Sequence, residues 1–99
     1  MDNITSFKNE SKSISVLVPS GYTSGFTMNF TLNEKEYEYT GSTLSKTGLT
    51  ITDNISTVTI TAVENDIEEK VYFFQCDIIN GSLKYTIAKG TYTVLPTIT

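Results

Sequence analysis

Apolar and polar residues alternate with a period of two along most of this chain, the period of a pleated strand with one face turned inward. The cleanest run is Phe26-Thr27-Met28-Asn29-Phe30-Thr31-Leu32, where every apolar residue falls on one face and every polar one on the other. Thr57-Val58-Thr59-Ile60-Thr61-Ala62 repeats the pattern with β-branched residues, which pack well on a pleated surface and lose rotamer freedom in a helix. Ile14–Val18, Tyr37–Tyr39, Leu49–Thr52, Val71–Ile79, Leu83–Ala88 and Thr91–Leu95 have the same character, so the pattern predicts seven or eight short strands.

The punctuation between these runs has turn chemistry. Asn80-Gly81 stands where a two-residue hairpin is needed, and Asn-Gly favours the positive φ angles of a type I′ turn. Ser20–Gly25, Gly41-Ser42, Thr47-Gly48 and Asp53-Asn54 supply the other turns. Gly90 interrupts a long alternating stretch and reads as a bulge or a bend. Glu64–Lys70 is the one stretch with helical character, and at that length it is a connector. The expected fold is an all-β, antiparallel sandwich with Greek-key-like connections. It forms one domain over residues 1–99, with residues 1–13 either an extended arm that pairs with a neighbour or an unstructured tail. Residues 95–99 leave the same two readings open.

Charge narrows the partners. The formal charge of −4 sets 11 acidic residues against 7 basic ones, all lysine. Without arginine, the usual bidentate reader of phosphate and guanine, neither nucleic acid nor an anionic membrane surface is expected as a partner. No apolar run approaches membrane-spanning length, and the first residues lack the basic and apolar regions of a secretory signal. The sequons at Asn3, Asn9, Asn29, Asn54 and Asn80 are accordingly expected to stay unmodified.

Catalysis is expected to be absent, by elimination. The chain has no histidine, which removes the Ser-His-Asp and Cys-His constellations. Cys76 is the only cysteine, so neither an internal disulfide nor a cysteine metal site can form, and its apolar neighbours Phe74 and Ile78 suggest a small buried hydrophobe. Ser42-Thr43-Leu44-Ser45-Lys46 carries a serine and a lysine in a loop, not on a helix. Glu34, Glu36 and Glu38 alternate and read as a solvated strand face. Glu64-Asn65-Asp66-Ile67-Glu68-Glu69 offers oxygen atoms but lacks the spacing of a calcium loop. Ser20–Gly25 has two glycines but neither the lysine nor the following helix of a phosphate cradle. No cofactor and no metal are expected.

Val71–Ile79 is apolar on both faces over part of its length, with Tyr72, Phe74, Cys76 and Ile78 on one and Val71 and Phe73 on the other. One face must be core; the other lies either under the Glu64–Lys70 connector or against another protein. The candidate interface is therefore Val71 and Phe73, joined by Leu17, Tyr37 and Tyr39. In a carbohydrate-binding sandwich, Tyr22, Tyr37 or Tyr39 would be the stacking platform.

Val71-Tyr72-Phe73-Phe74-Gln75-Cys76-Asp77-Ile78, the Asn80-Gly81 turn and Tyr85-Thr86-Ile87-Ala88-Lys89-Gly90-Thr91-Tyr92-Thr93-Val94 resemble the ending of small immunoglobulin-like domains in tailed-bacteriophage virion proteins. These include the amino-terminal domain of baseplate upper proteins, and head and tail accessory proteins, those of crAss-like phages among them. Thr86, Gly90, Tyr92 and Val94 match the threonine and the Gly-x-Tyr/Phe-x-Val close, while Gln75 stands where the pattern has an acid. The likeness spans about a quarter of the chain. It implies an immunoglobulin-like sandwich and a non-enzymatic auxiliary or decoration protein, made in the host cytoplasm and bound to the capsid surface. Its partner would be the major capsid protein or another virion protein, with self-association as a further option. The alternatives are an adaptor at the tail, neck or head-fibre attachment, or the carbohydrate-binding module.

Overall fold

The computed structural model describes residues 2–22, 24–35 and 43–97. Seven strands follow in chain order: β1 Asp2–Phe7, β2 Lys12–Leu17, β3 Thr27–Asn33, β4 Leu44–Leu49, β5 Ile55–Ile60, β6 Val71–Asn80 and β7 Leu83–Leu95. Five of them form one sheet in the order β1-β7-β6-β3-β4, and β2 pairs with β5 in the second. All pairs are antiparallel except β1 with β7, which run parallel from Asp2↔Gly90 to Phe7↔Leu95.

The alternation seen in the sequence becomes the core. Met28, Phe30 and Leu32 of β3 are fully buried, as are Val58 and Ile60 of β5, and Tyr72, Phe74, Cys76 and Ile78 of β6 face them. Phe30 stacks on Phe74, with ring centroids 5.9 Å apart and planes inclined by 17°. Cys76 sits in this core as a small apolar residue.

Several turns differ from expectation. Asn80 is the last residue of β6 and pairs with Leu83, so the hairpin loop is Gly81-Ser82. Only the first loop residue has positive φ, 60° at Gly81, which marks a type II′ turn and not type I′. The type I′ geometry occurs instead at Asp53-Asn54, with φ of 52° and 64°, closed by reciprocal hydrogen bonds between Thr52 and Ile55. Thr47-Gly48 is not a turn but a bulge inside β4, where the register slips between Met28 and Phe30. Gly48 takes a φ of 66° there, and its N–H donates to the Asn29 side chain at 3.1 Å. Gly90 does not interrupt the last strand: the two expected runs fuse into the 13-residue β7, and its bulge falls near Ile87, opposite the Cys76–Asp77 step, not at Gly90. The strand and turn expected at residues 37–42 lie outside the described residues.

The amino-terminal stretch is held by its own chain, since Asp2–Phe7 is β1 and Lys12 already belongs to β2. A buried asparagine explains the anchoring. The Asn65 amide donates to the carbonyls of Phe7 and Glu10 at 2.9 and 2.8 Å and also meets the Ser6 hydroxyl, while Tyr92 donates its phenol to Asn65 Oδ1 at 2.8 Å. Asn65 is presented by a single turn, not a helix: Thr61 and Glu64 cap each other reciprocally, and the Asn65 N–H bonds the Thr61 carbonyl. At the end of the same connector the Tyr72 phenol donates to the Glu68 carbonyl at 2.8 Å, pinning the chain as it enters β6.

Asn65→Ala removes at once the partner of two part-buried carbonyls, a buried hydroxyl and a buried phenol, so it is expected to cost about 3 kcal/mol or more in urea unfolding, against about 1 kcal/mol for Tyr72→Phe. Burial holds the Tyr72 and Tyr92 phenols above the ordinary tyrosine value of 10.0, against the opposing pull of Lys70 on the first and of Ser6 and Asn65 on the second. Their contribution is complete below that value and is lost as pH rises through the folded pKa values, so unfolding midpoints should fall above about pH 10. A flat profile through that range would contradict the assignment.

Candidate functional site

The structure divides the residues expected to form one interface. Leu17 is 75% exposed on the outer face of the two-stranded sheet. Val71, 47% exposed, and Phe73, half-buried, lie on the outer face of the five-stranded sheet, paired with Thr93 and with Thr91 and Asn33. The outer faces of a sandwich look in opposite directions, so Leu17 does not join Val71 and Phe73. Tyr37 and Tyr39 lie outside the described residues. The Glu64–Lys70 connector leaves Val71 in solvent, because Ile67 packs against the core and Glu68 is engaged with Tyr72.

A different cluster forms at the end of the sandwich that carries the β2–β3 loop and the β6–β7 hairpin. Tyr22 from that loop lies 5.1 Å from the ring of Tyr85 and 6.0 Å, edge to face, from Phe26, and Phe26 and Tyr85 are 6.3 Å apart. Gly25 brings the loop against the hairpin: its φ is 76°, and a Cβ there would come within 3.1 Å of the Asn80 amide nitrogen. Tyr22 is 40% exposed and Tyr85 42%, and the exposed Leu83 stands two residues before Tyr85 on the same face of β7. Half-exposed rings clamped by one another form a rigid apolar surface with phenol groups at its rim. Sequence reasoning singled out Tyr22 alone, because Phe26 and Tyr85 sit in strand-like patterns where an aromatic residue reads as core.

Charged groups are spent on structure. Asp77, whose side chain is only 8% exposed, accepts from Thr86 at 2.7 Å and from Gln75 at 2.9 and 3.1 Å, with Lys84 at 3.8 Å. That clamp spans the β7 bulge and uses Gln75 and Thr86, two positions of the sequence resemblance. Glu34 pairs with Lys70 at 2.9 Å, and Asp66 with Lys8 at 3.2 Å. Among the described residues no three potential metal ligands come together. Glu64 is held below the ordinary carboxylate pKa, first by its hydrogen bond from Lys46 and then by the Thr61 N–H.

The sequence matches no protein-family model and no curated protein. Solved structures share its fold. A candidate glycoside hydrolase of Bacteroides vulgatus superposes with a TM-score of 0.54 at 14% identity over 98% of this chain, which spans only 17% of that protein. The NK cell receptor Nkp44, a triggering partner in natural cytotoxicity, covers 96% of each chain at 12% identity with a TM-score of 0.50. The second Ig domain of the mouse polymeric immunoglobulin receptor covers 99% of each chain, also at 12% and 0.50. With the strand order above, these establish an immunoglobulin-like β-sandwich, and at such identities they establish the fold alone.

Glu64→Gln should lower the melting temperature at neutral pH. A carboxyl with a depressed folded pKa contributes above its unfolded pKa and loses that contribution as pH falls through the folded value. The gap between variant and parent should therefore close on acidification; a gap independent of pH would assign Glu64 no electrostatic part.

Proposed function

We propose that this chain is a non-catalytic immunoglobulin-like binding module that serves as an adaptor, contacting its partner through the aromatic end built by Tyr22, Phe26 and Tyr85. The carrying observation is that cluster: two half-exposed tyrosines, one from the β2–β3 loop and one from the start of β7, braced by a third ring. Tyrosine supplies a large amphipathic contact at small entropic cost, which is why it is enriched in protein interfaces and in loop-built binding sites. Two of the fold neighbours are receptor domains, which supports a binding role.

The resemblance of residues 71–78 and 85–94 supports a tailed-phage virion as the setting. There the partner is the major capsid protein or another virion protein, and the module is either a capsid decoration or an adaptor at the tail, neck or head fibre. A carbohydrate ligand is the second reading, because exposed phenol rings also stack on sugar faces.

Tagged protein recovered from its native source should bring down a structural protein. The Tyr22→Ala/Tyr85→Ala double variant, with unchanged hydrogen-exchange protection of β3 and β6, should retain about thirtyfold less of it. Equal retention by the double variant would refute the aromatic end. Glycan-array binding abolished by the same variant would move the function to carbohydrate. Electron microscopy of particles labelled on this protein separates icosahedral from axial positions.

A further inference from the structure

Among the described residues the two layers of the sandwich are unequal, since a pair of strands faces a sheet of five. Strand β1 accompanies β7 only from Gly90 onward, so the half of β7 that precedes Gly90 has no neighbour on that side among the described residues. The side of β2 turned away from β5 is also without a strand partner among the described residues. Between these two open edges runs a groove of about 530 Å³. Its apolar lining comes from Ile4, Ile14, Val16, Phe74, Ile87 and Ala88, with Asn3 and Ser15 at its polar margin, and among the described residues no charged side chain lines it.

The open edge of β2 offers an ordered set of backbone groups. Val18 N–H donates to the Asn54 carbonyl at 2.7 Å, which places Val18 and Asn54 in the hydrogen-bonded register of the β2–β5 ladder. Bonded and non-bonded pairs alternate along an antiparallel ladder, so Ile14 and Val16 exchange hydrogen bonds with β5. The N–H and C=O groups of Ser13, Ser15 and Leu17 consequently point into the open side. They recur every second residue, about 6.8 Å apart, a spacing that another extended backbone matches. Directly beneath them the apolar lining waits for side chains from that same backbone.

We propose that this groove receives one extended segment of a different polypeptide, which adds to β2 as a third strand and lays apolar residues, at alternate positions, on Ile14, Val16 and Ile87. The backbone edge selects a polypeptide over a sugar or a lipid, because its donors and acceptors alternate in strand register. The uncharged lining selects apolar side chains for the inward positions of the guest. This surface is separate from the aromatic end and does not rest on it; it gives the domain a second point of attachment, reached by strand addition.

The test is a ribosome-displayed library of random dodecapeptides selected on the full chain, with Ser15→Pro as the counter-target. Proline at residue 15 deletes an N–H that faces the groove and leaves the β2–β5 ladder intact, because Ser15 and Thr57 form a non-bonded pair. Enriched peptides should alternate apolar and polar residues, should bind Ser15→Pro about tenfold more weakly or worse, and should lose binding when alternate amides are N-methylated. The N-methyl arm keeps the test valid even if the proline variant unfolds. Peptides that bind through N-methylated backbones, or a library with no alternating winners, would overturn the proposal. A peptide-free dimer that Ser15→Pro dissociates would also overturn it, by assigning the edge to a second copy of this chain.

Discussion

Phe30 and Phe74 lie diagonally across neighbouring strands, and their stacked rings occupy the place on which an immunoglobulin-like core is usually pinned. In antibody domains a tryptophan packs against a disulfide between the layers, and a corner tyrosine precedes the second cysteine by two residues. Here Tyr72 makes the corner through its bond to the Glu68 carbonyl, and the residue two places on is Phe74. With a single cysteine in the chain, the cross-link is unavailable. Burying one phenylalanine contributes about 1.5–3 kcal/mol, and an aromatic pair adds about 0.5–1.5 more. That sum is comparable to the roughly 2–4 kcal/mol of a disulfide, but the stack ties two neighbouring strands of one sheet, and the layers are joined by the apolar contact of both rings with Val16, Val18, Val58 and Ile60 in the shared core.

The second constraint is Asn65, which does for the chain ends what the stack does for the middle of the five-stranded sheet. It is fully buried yet hydrogen-bonded on every side, to the chain around β1 and to Tyr92 on β7. A buried amide of this kind stabilises only when all its partners are in place, and it thereby selects one path for the amino-terminal segment. The parallel β1–β7 pairing follows from that path. Once β1 is committed to β7, it cannot also flank β2, and the open groove beside β2 is the direct result.

A small domain gains from what it binds, because any ligand of the folded state adds its binding free energy to a modest net stability. The two surfaces differ in physical kind. The aromatic end presents preformed rings whose geometry is set by mutual contact, suited to a rigid partner surface. The β2 edge presents backbone groups in a fixed register, suited to a flexible segment that becomes ordered on arrival. In the proposed adaptor the two surfaces would hold different partners.

Much of the fold was legible in the amino-acid order. Strict alternation at Phe26–Leu32 and Thr57–Ala62 marked the strands β3 and β5, because side-chain direction in a strand is a local property that repeats every two residues. Asp53-Asn54 and Thr47-Gly48 were visible as breaks, but not as an I′ turn and a bulge, since the difference depends on which strand lies opposite. For the same reason Gly90 looked like an interruption and proved to be paired on both sides. Leu17 and Val71 looked alike as exposed apolar residues, and only the assignment of their strands to opposite layers separated them. Tyr22, Phe26 and Tyr85 met because Gly25 folds a loop against a hairpin some 55 residues further along, a contact between distant segments that no local pattern records. Periodicity thus determined which residues turn inward, while the pairing of remote strands decided which of the outward ones stand together.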